Sequence, residues 1–309
     1  MSPSPMPPLN LKFESLTRVS LLTVLTAGIT SCTFAQADDA KTFEHFADWC
    51  ENQESLTPEA HHTVDVLLTA AETEDCDRAE AVLSSLTQLD LSRTQLSEVA
   101  PLASLPQLTW LILNENQIAD VGPLSNLTQL DLLHLGENQI SDIAPLSTLT
   151  SLTELNLSSN QISDIAPLST LTQLTRLNLQ VNQISDIEPL SMLSELDWLD
   201  LSFNQIETVD TLANLANLTN LDLSVNRITH LEPLATLTDL FWLGLVDNQI
   251  TDVASLSDLT DLTVLRLAQN QITDASSLST LTNLSLLFLE ENPLSDRTCP
   301  VEPASICSF

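Results

Sequence analysis

Leu127-Thr-Gln-Leu130-Asp-Leu-Leu133-His-Leu135-Gly-Glu-Asn138-Gln-Ile140-Ser-Asp142-Ile143-Ala-Pro145-Leu146-Ser-Thr148 is a stretch of 22 residues that returns in ten copies across residues 83–298. Leucine opens every copy, at 83, 105, 127, 149, 171, 193, 215, 237, 259 and 281. Further leucine rows run on the same period through Leu86, Leu89 and Leu91. A fixed period of this length marks a solenoid, in which each copy stacks only on its neighbours. The alternation Leu133-x-Leu135 predicts a short strand with its leucines inward. Asn138 ends that strand, where its amide can bond turn backbone groups that stacking would otherwise leave buried and unpaired. Asparagine recurs there at 116, 160, 182, 204, 226, 248, 270 and 292, with Thr94 in the first copy. Ile140, Ile143 and Leu146 turn inward again, and Pro145 begins a tight helical or 3₁₀ turn on the outer side. One copy alone cannot bury enough apolar surface to offset the entropy of ordering it, so the array must stack and its ends need covers.

The pattern Leu130-x-x-Leu133-x-Leu135-x-x-Asn138-x-Ile140-x-Asp142-Ile143-x-Pro145-Leu146 resembles the leucine-rich repeat family, in its 22-residue internalin-like class. The resemblance implies an α/β solenoid: a right-handed arc with a concave parallel β-sheet and short 3₁₀ or helical turns on the convex side. Phe46-Ala-Asp-Trp49-Cys50 in front, and Cys299-Pro300-Val301 with Ser305-Ile306-Cys307 behind, resemble the caps of secreted cyanobacterial leucine-rich repeat proteins. The front cap reads as helical from the residues themselves. Phe43, Phe46, Ala47 and Cys50, and again Val64, Leu67, Leu68 and Ala71, fall at i, i+3, i+4, i+7, and Thr57-Pro58 supplies an N-cap and first helical residue.

Lys12 and Arg18 precede an apolar run at 19–29, too short to span a bilayer, that leads into Ala35-Gln36-Ala37. This reads as a secretory signal peptide cleaved after Ala37. Ile29-Thr30-Ser31-Cys32 offers the alternative of a lipoprotein anchored at Cys32. The chain thus divides into a leader, 1–37, a helical N-terminal cap, 38–82, ten repeats, 83–298, and a C-terminal cap, 299–309. Cleavage leaves Cys50, Cys76, Cys299 and Cys307, one pair before the repeats and one after. In an oxidising compartment they suggest bridges Cys50–Cys76 and Cys299–Cys307, against the alternative of four unpaired thiols.

Formal charge is −33, from 42 acidic and 9 basic residues. A surface this acidic repels phosphate backbones and lipid heads, so neither nucleic acid nor a membrane surface is an expected partner, lipidation at Cys32 aside. Only four glycines are present, so phosphate-cradling loops and strained nucleophile elbows cannot be built. No nucleophile–base set or metal cluster rises above the repeat background, and no enzyme activity, cofactor or metal is expected. His61-His62 point to different helix sides, and the sequons such as Asn126-Leu-Thr128 follow from the repeat itself.

The ten copies can be compared with one another. Inward columns scarcely vary, whereas the residue between the strand leucines reads Asp90, Ile112, His134, Asn156, Asn178, Asp200, Asp222, Gly244, Arg266, Phe288. Beside it runs Gln88, Trp110, Leu132, Glu154, Arg176, Trp198, Asn220, Trp242, Val264, Leu286. Alternation points both columns out of the sheet. Trp110, Trp198 and Trp242 share one column, Phe203, Phe241 and Phe288 lie on or beside the same face, and Asp200, Asp222 and Asp247 join them. Tryptophan and arginine are enriched at binding hot spots, so this face is the candidate site for a protein or peptide, with His134, Arg176 and Arg266 contributing to orientation. The bland alternative is that the rings lie flat on neighbouring side chains and stiffen the sheet. A second column of acids, Glu98, Asp120, Asp142, Asp164, Asp186, Asp252, Asp274 and Asp296, reads as repeated capping rather than calcium binding, because one carboxylate per copy does not converge on an ion. The function these features favour is an exported, monomeric, non-enzymatic binding module in the periplasm or outside the cell. The alternatives are an intracellular phosphatase-type regulatory subunit or a structural envelope component without a unique partner.

Overall fold

Ten short strands recur at the repeat period: β1 (Gln88–Asp90), β2 (Trp110–Ile112), β3 (Leu132–His134), β4 (Glu154–Asn156), β5 (Arg176–Asn178), β6 (Trp198–Asp200), β7 (Asn220–Asp222), β8 (Trp242–Gly244), β9 (Val264–Arg266) and β10 (Leu286–Phe288). The computed structural model describes residues 43–309, so the expected leader, 1–37, and Cys32 lie outside the described residues. All strands are parallel and pair in sequence order, and an eleventh, β11 (Cys307–Ser308), extends the sheet at its C-terminal end. Each central leucine faces its equivalent across the ladder, as in Leu177↔Leu199↔Leu221↔Leu243. The result is an open solenoid of stacked repeats, with 3₁₀ turns such as Ala144–Thr148 and Ala166–Thr170 on the side away from the sheet.

The inward rows form one continuous file of buried aliphatic side chains, with Leu133, Leu135, Ile140 and Leu146 fully buried in the quoted copy. No copy has a core of its own; the file is the core. The asparagine after each strand closes the polar account of the turn. Asn182 accepts from the Ile162 amide at 3.0 Å, while its Nδ2 donates to the carbonyls of Leu157, Leu179 and Gln180 at 3.0, 3.1 and 3.3 Å. One amide therefore bridges two copies and satisfies backbone groups that cannot reach water. Thr94, in the first copy, donates to the Leu91 carbonyl at 2.7 Å, and Asn116 of the next copy reaches back to the Leu96 amide.

Just before each ladder asparagine the chain takes a left-handed residue, and none of these is glycine: Glu137 (φ 56°), Val181 (φ 54°), Phe203 (φ 57°), Val225 (φ 58°) and Asp247 (φ 54°) among them. The conformation turns each amide onto the next copy, as in Val181 N–H to the Ser202 carbonyl at 3.0 Å. A second ladder runs along the 3₁₀ side, where Thr148 and Thr170 hydroxyls donate to the Ser125 and Ser147 carbonyls at 2.7 and 2.8 Å.

Three helices cover the first copy: α1 (Phe46–Glu51), α2 (Pro58–Ala70) and α3 (Cys76–Leu83). Thr57 caps α2 by accepting from the Ala60 amide at 3.1 Å, with Pro58 at the first helical position. Asp75 does the same for α3 through the Arg78 amide at 2.9 Å. That third helix falls in the expected helical cap, 38–82, and runs one residue past it, so Leu83, which opens the first repeat, also closes α3. Trp49 and Phe46 fill the cap interior, with Phe43 edge-on to Trp49 at 5.0 Å. Disulfides join Cys50 to Cys76 and Cys299 to Cys307. Among the described residues no helix is long and apolar enough to cross a membrane.

Candidate functional site

Strand alternation puts the two variable columns on the open side of the sheet, because the leucine between them is drawn into the core. The structure does not gather all the candidate residues in one place. Trp110 on β2 is 42% exposed beside Leu132, four strands from β6 and so roughly 19 Å from Trp198 at ~4.8 Å per strand. His134 on β3 stands 2.8 Å, Nε2 to Oε1, from Glu154 on β4. Arg176 is exposed on β5 and in register with Trp198. Arg266 on β9 leans toward β10, its guanidinium carbon 5.9 Å from the centre of the Phe288 ring. Phe203 and Asp247 occupy left-handed turn positions after β6 and β8, and Phe241 immediately precedes β8. Phe203 and Phe241, at 44% and 52% exposure, thus stand at the two margins of the strands rather than on the sheet floor.

What does come together is Trp198, Asp200, Asp222 and Trp242. With Leu199, Asn220 and Leu221, they line a cavity of about 190 Å³ over β6, β7 and β8. Register explains the shape. Trp198↔Asn220↔Trp242 is a large–small–large rung, and Asp200↔Asp222↔Gly244 is an acid–acid–empty one. Gly244 was visible in the sequence only as one more variable residue, but it makes the cavity possible. A Cβ there would sit 2.5 Å from Asp222 Oδ1 and 2.7 Å from Trp242 Cη2, so the missing side chain is what lets the indole lean over its own strand toward Asp222. Both indoles are consequently half-buried, and only Trp110 displays its ring openly.

Each carboxylate is already tied by one oxygen. Asp200 Oδ1 accepts from the Ser202 amide at 2.9 Å and from its hydroxyl at 2.6 Å; Asp222 Oδ1 accepts from the Ser224 amide at 2.9 Å. Among the described residues neither forms an ion pair with a basic side chain. Burial, and secondarily the neighbouring Asp222, push the Asp200 carboxyl up to about 6, against the pull of its bonds from Ser202.

The acid column after the turn is structural. Asp142 Oδ1 accepts from the Ala144 amide at 2.8 Å, and Asp164, Asp252 and Asp274 repeat the bond at the entrance of their own 3₁₀ turns. Such bonds from Ser276 hold the Asp274 carboxyl below its ordinary range. Among the described residues, no group of three or more His, Cys, Asp or Glu is placed to hold a metal ion.

The family model for Leucine Rich repeats, two copies to a unit, matches residues 106–148, 150–192, 194–236 and 238–279, more than half of the chain. Among solved structures, the chain is similar to an internalin, InlF, of Listeria monocytogenes, at 33% identity over 76% of this chain and 76% of that one, with a TM-score of 0.67. It is similar to internalin C2 of the same organism at 32% identity, over 71% of this chain and 88% of that one, with a TM-score of 0.54. A leucine-rich repeat protein of Leptospira interrogans matches at 31% identity, over 70% of this chain and 57% of that one, with a TM-score of 0.67. No curated protein sequence matches.

Proposed function

The chain belongs to the leucine-rich repeat family, and from that premise we propose that it is an exported, non-enzymatic module that binds a protein or peptide on its sheet face. The fold commonly mediates protein–protein binding, because a solenoid offers one long surface whose residues can change copy by copy without disturbing the core. The observation that carries the reading is the contrast between columns. The inward leucines are nearly invariant and buried, while each of the two outward columns holds seven residue types on its ten strands. Exposed Trp110 and the pocket walled by Trp198 and Trp242 supply the aromatic anchors of such a surface. Export is supported by the two disulfides, which persist in oxidising compartments, and they count against an intracellular regulatory subunit.

The test is capture of the partner by immobilised wild-type protein and by the Trp198→Ala, Trp242→Ala double variant. Loss of the captured species, with Tm within a few degrees of wild type, is expected. Undiminished capture removes these tryptophans from the binding surface.

A further inference from the structure

The cavity over β6, β7 and β8 is built for a particular chemistry. Its floor is two carboxylates on adjacent strands, Asp200 and Asp222, and its walls are two indoles. Like charges directly across a ladder destabilise a sheet, and a nearby cation would relieve them. Here the relief is withheld. Arg176 on β5 is exposed and pairs with neither acid, Arg266 on β9 lies over Phe288, and β8 presents Gly244 where a basic residue could have reached Asp222. The second oxygen of each carboxylate has no hydrogen-bond donor among the described residues.

Trp198 and Trp242 are two strands apart, roughly 10 Å at ~4.8 Å per strand, and Asn220 between them is short. Measured between the strands, that spacing is enough for one planar group to lie between the two indole side chains. A guanidinium meets every condition at once. It is flat, stacks on indoles, carries its charge without a tightly held water shell, and directs up to five N–H donors at paired carboxylates. An ammonium is a compact, strongly hydrated point charge that uses the walls less well. The −33 net charge of the chain favours approach of a basic segment.

We propose that the Trp198–Trp242 pocket is a receptor for the guanidinium of an arginine side chain supplied by the partner, with the indoles stacking on it and Asp200 and Asp222 accepting its hydrogen bonds. This rests on the sheet-face reading above and names the chemistry that face selects. It carries a pH signature. The charged groups facing Asp200 from the flanking strands are Asp222 on β7 and Arg176 on β5, and only the first acts on it appreciably. A bound cation stabilises the ionised carboxylate, so binding expels a proton and strengthens as pH rises through about 6.

The test uses the full chain, ¹⁵N-labelled at tryptophan, and acetylated, amidated glycine pentapeptides whose central residue is arginine, citrulline or lysine. Trp49 in the cap and Trp110 on β2 serve as internal controls. The arginine peptide is expected to shift the Trp198 and Trp242 indole signals and leave the other two in place. Citrulline, equal in shape but uncharged, should leave all four unmoved, and lysine should bind more weakly than arginine. Asp200→Asn and Asp222→Asn should each weaken the arginine peptide by about tenfold or more, with the free-protein spectrum preserved. Affinity should fall from pH 7.5 to pH 5. Citrulline binding as well as arginine, equal binding of lysine, or an arginine response that survives both substitutions together would overturn the proposal. No arginine response, with partner capture lost in the double tryptophan variant, overturns the arginine assignment alone. A full arginine response with undiminished capture overturns the sheet-face reading alone.

Discussion

Replacing Asp200 by Asn should make the protein more stable at neutral pH, although it removes a residue of the candidate site. Burial and the Asp222 carboxylate raise the Asp200 carboxyl from 3.8 to about 6 in the folded chain. Between those values the folded protein holds a proton that the unfolded chain releases. Ionisation therefore costs stability as pH rises from about 4, and the full penalty is present above about 7. At 1.36 kcal/mol for each tenfold change the penalty is on the order of 3 kcal/mol. Asparagine should sit in this rung without loss. Asn156 and Asn178 occupy the equivalent positions and accept from the Ser158 and Gln180 amides at 2.9 and 3.0 Å, as Asp200 accepts from Ser202. The assay is urea unfolding of both proteins from pH 3.5 to pH 8, followed by tryptophan fluorescence. The variant should match wild type at pH 3.5 and exceed it by up to about 3 kcal/mol at pH 8, with the same slope against urea. A difference that does not change with pH, or a variant that is weaker at pH 8, would refute the claim that this carboxylate is held in the sheet at a cost.

Other consequences concern the frame that holds the site. Asn182→Ala should destabilise the array by about 2 kcal/mol in urea unfolding, because it strands the Ile162 amide, whereas the Leu157 and Leu179 carbonyls keep their bonds from Asn160 and Asn204 at 3.1 and 3.0 Å. Val181→Asn should stabilise by about 1 kcal/mol, since Val181 is 42% exposed, contributes little packing, and holds a β-branched side chain at φ 54° that asparagine tolerates better; a loss of stability would count against strain at this turn. Cys299→Ser with Cys307→Ser should loosen β11 and speed hydrogen exchange at the Leu289 amide, which donates to the Ser308 carbonyl at 2.9 Å, while leaving the Leu177 amide as slow as in wild type.

Much of this was legible because a repeat is its own control. The leucine period fixes which side chains enter the core, and the ladder asparagine and the acid after the turn recur at positions where backbone groups need a partner. Features carried by a single copy were harder to read. The end of helix α3 was hidden because Leu83 satisfies the repeat row as well as the helix, and β11 has no leucine of its own, so it takes its register from β10 and the Cys299 bridge. Left-handed residues before the asparagines leave no trace where glycine is absent. The sequence placed Trp198, Asp200, Asp222 and Trp242 near one another, but treated the rings as exposed anchors. The half-buried pocket depends on two small neighbours, Asn220 and Gly244, whose part becomes visible only when the rungs are laid side by side.

Site-directed photocrosslinking in the producing cells puts the binding face to the most direct trial. A photoreactive amino acid is placed in turn at Arg176, Asn220 and Val264 on the sheet, and at Thr170, Met192 and Asn214 on the 3₁₀ side. Adducts with one common protein or peptide from the sheet positions, and none from the 3₁₀ positions, are expected. Adducts from the 3₁₀ positions alone would contradict a partner held on the sheet.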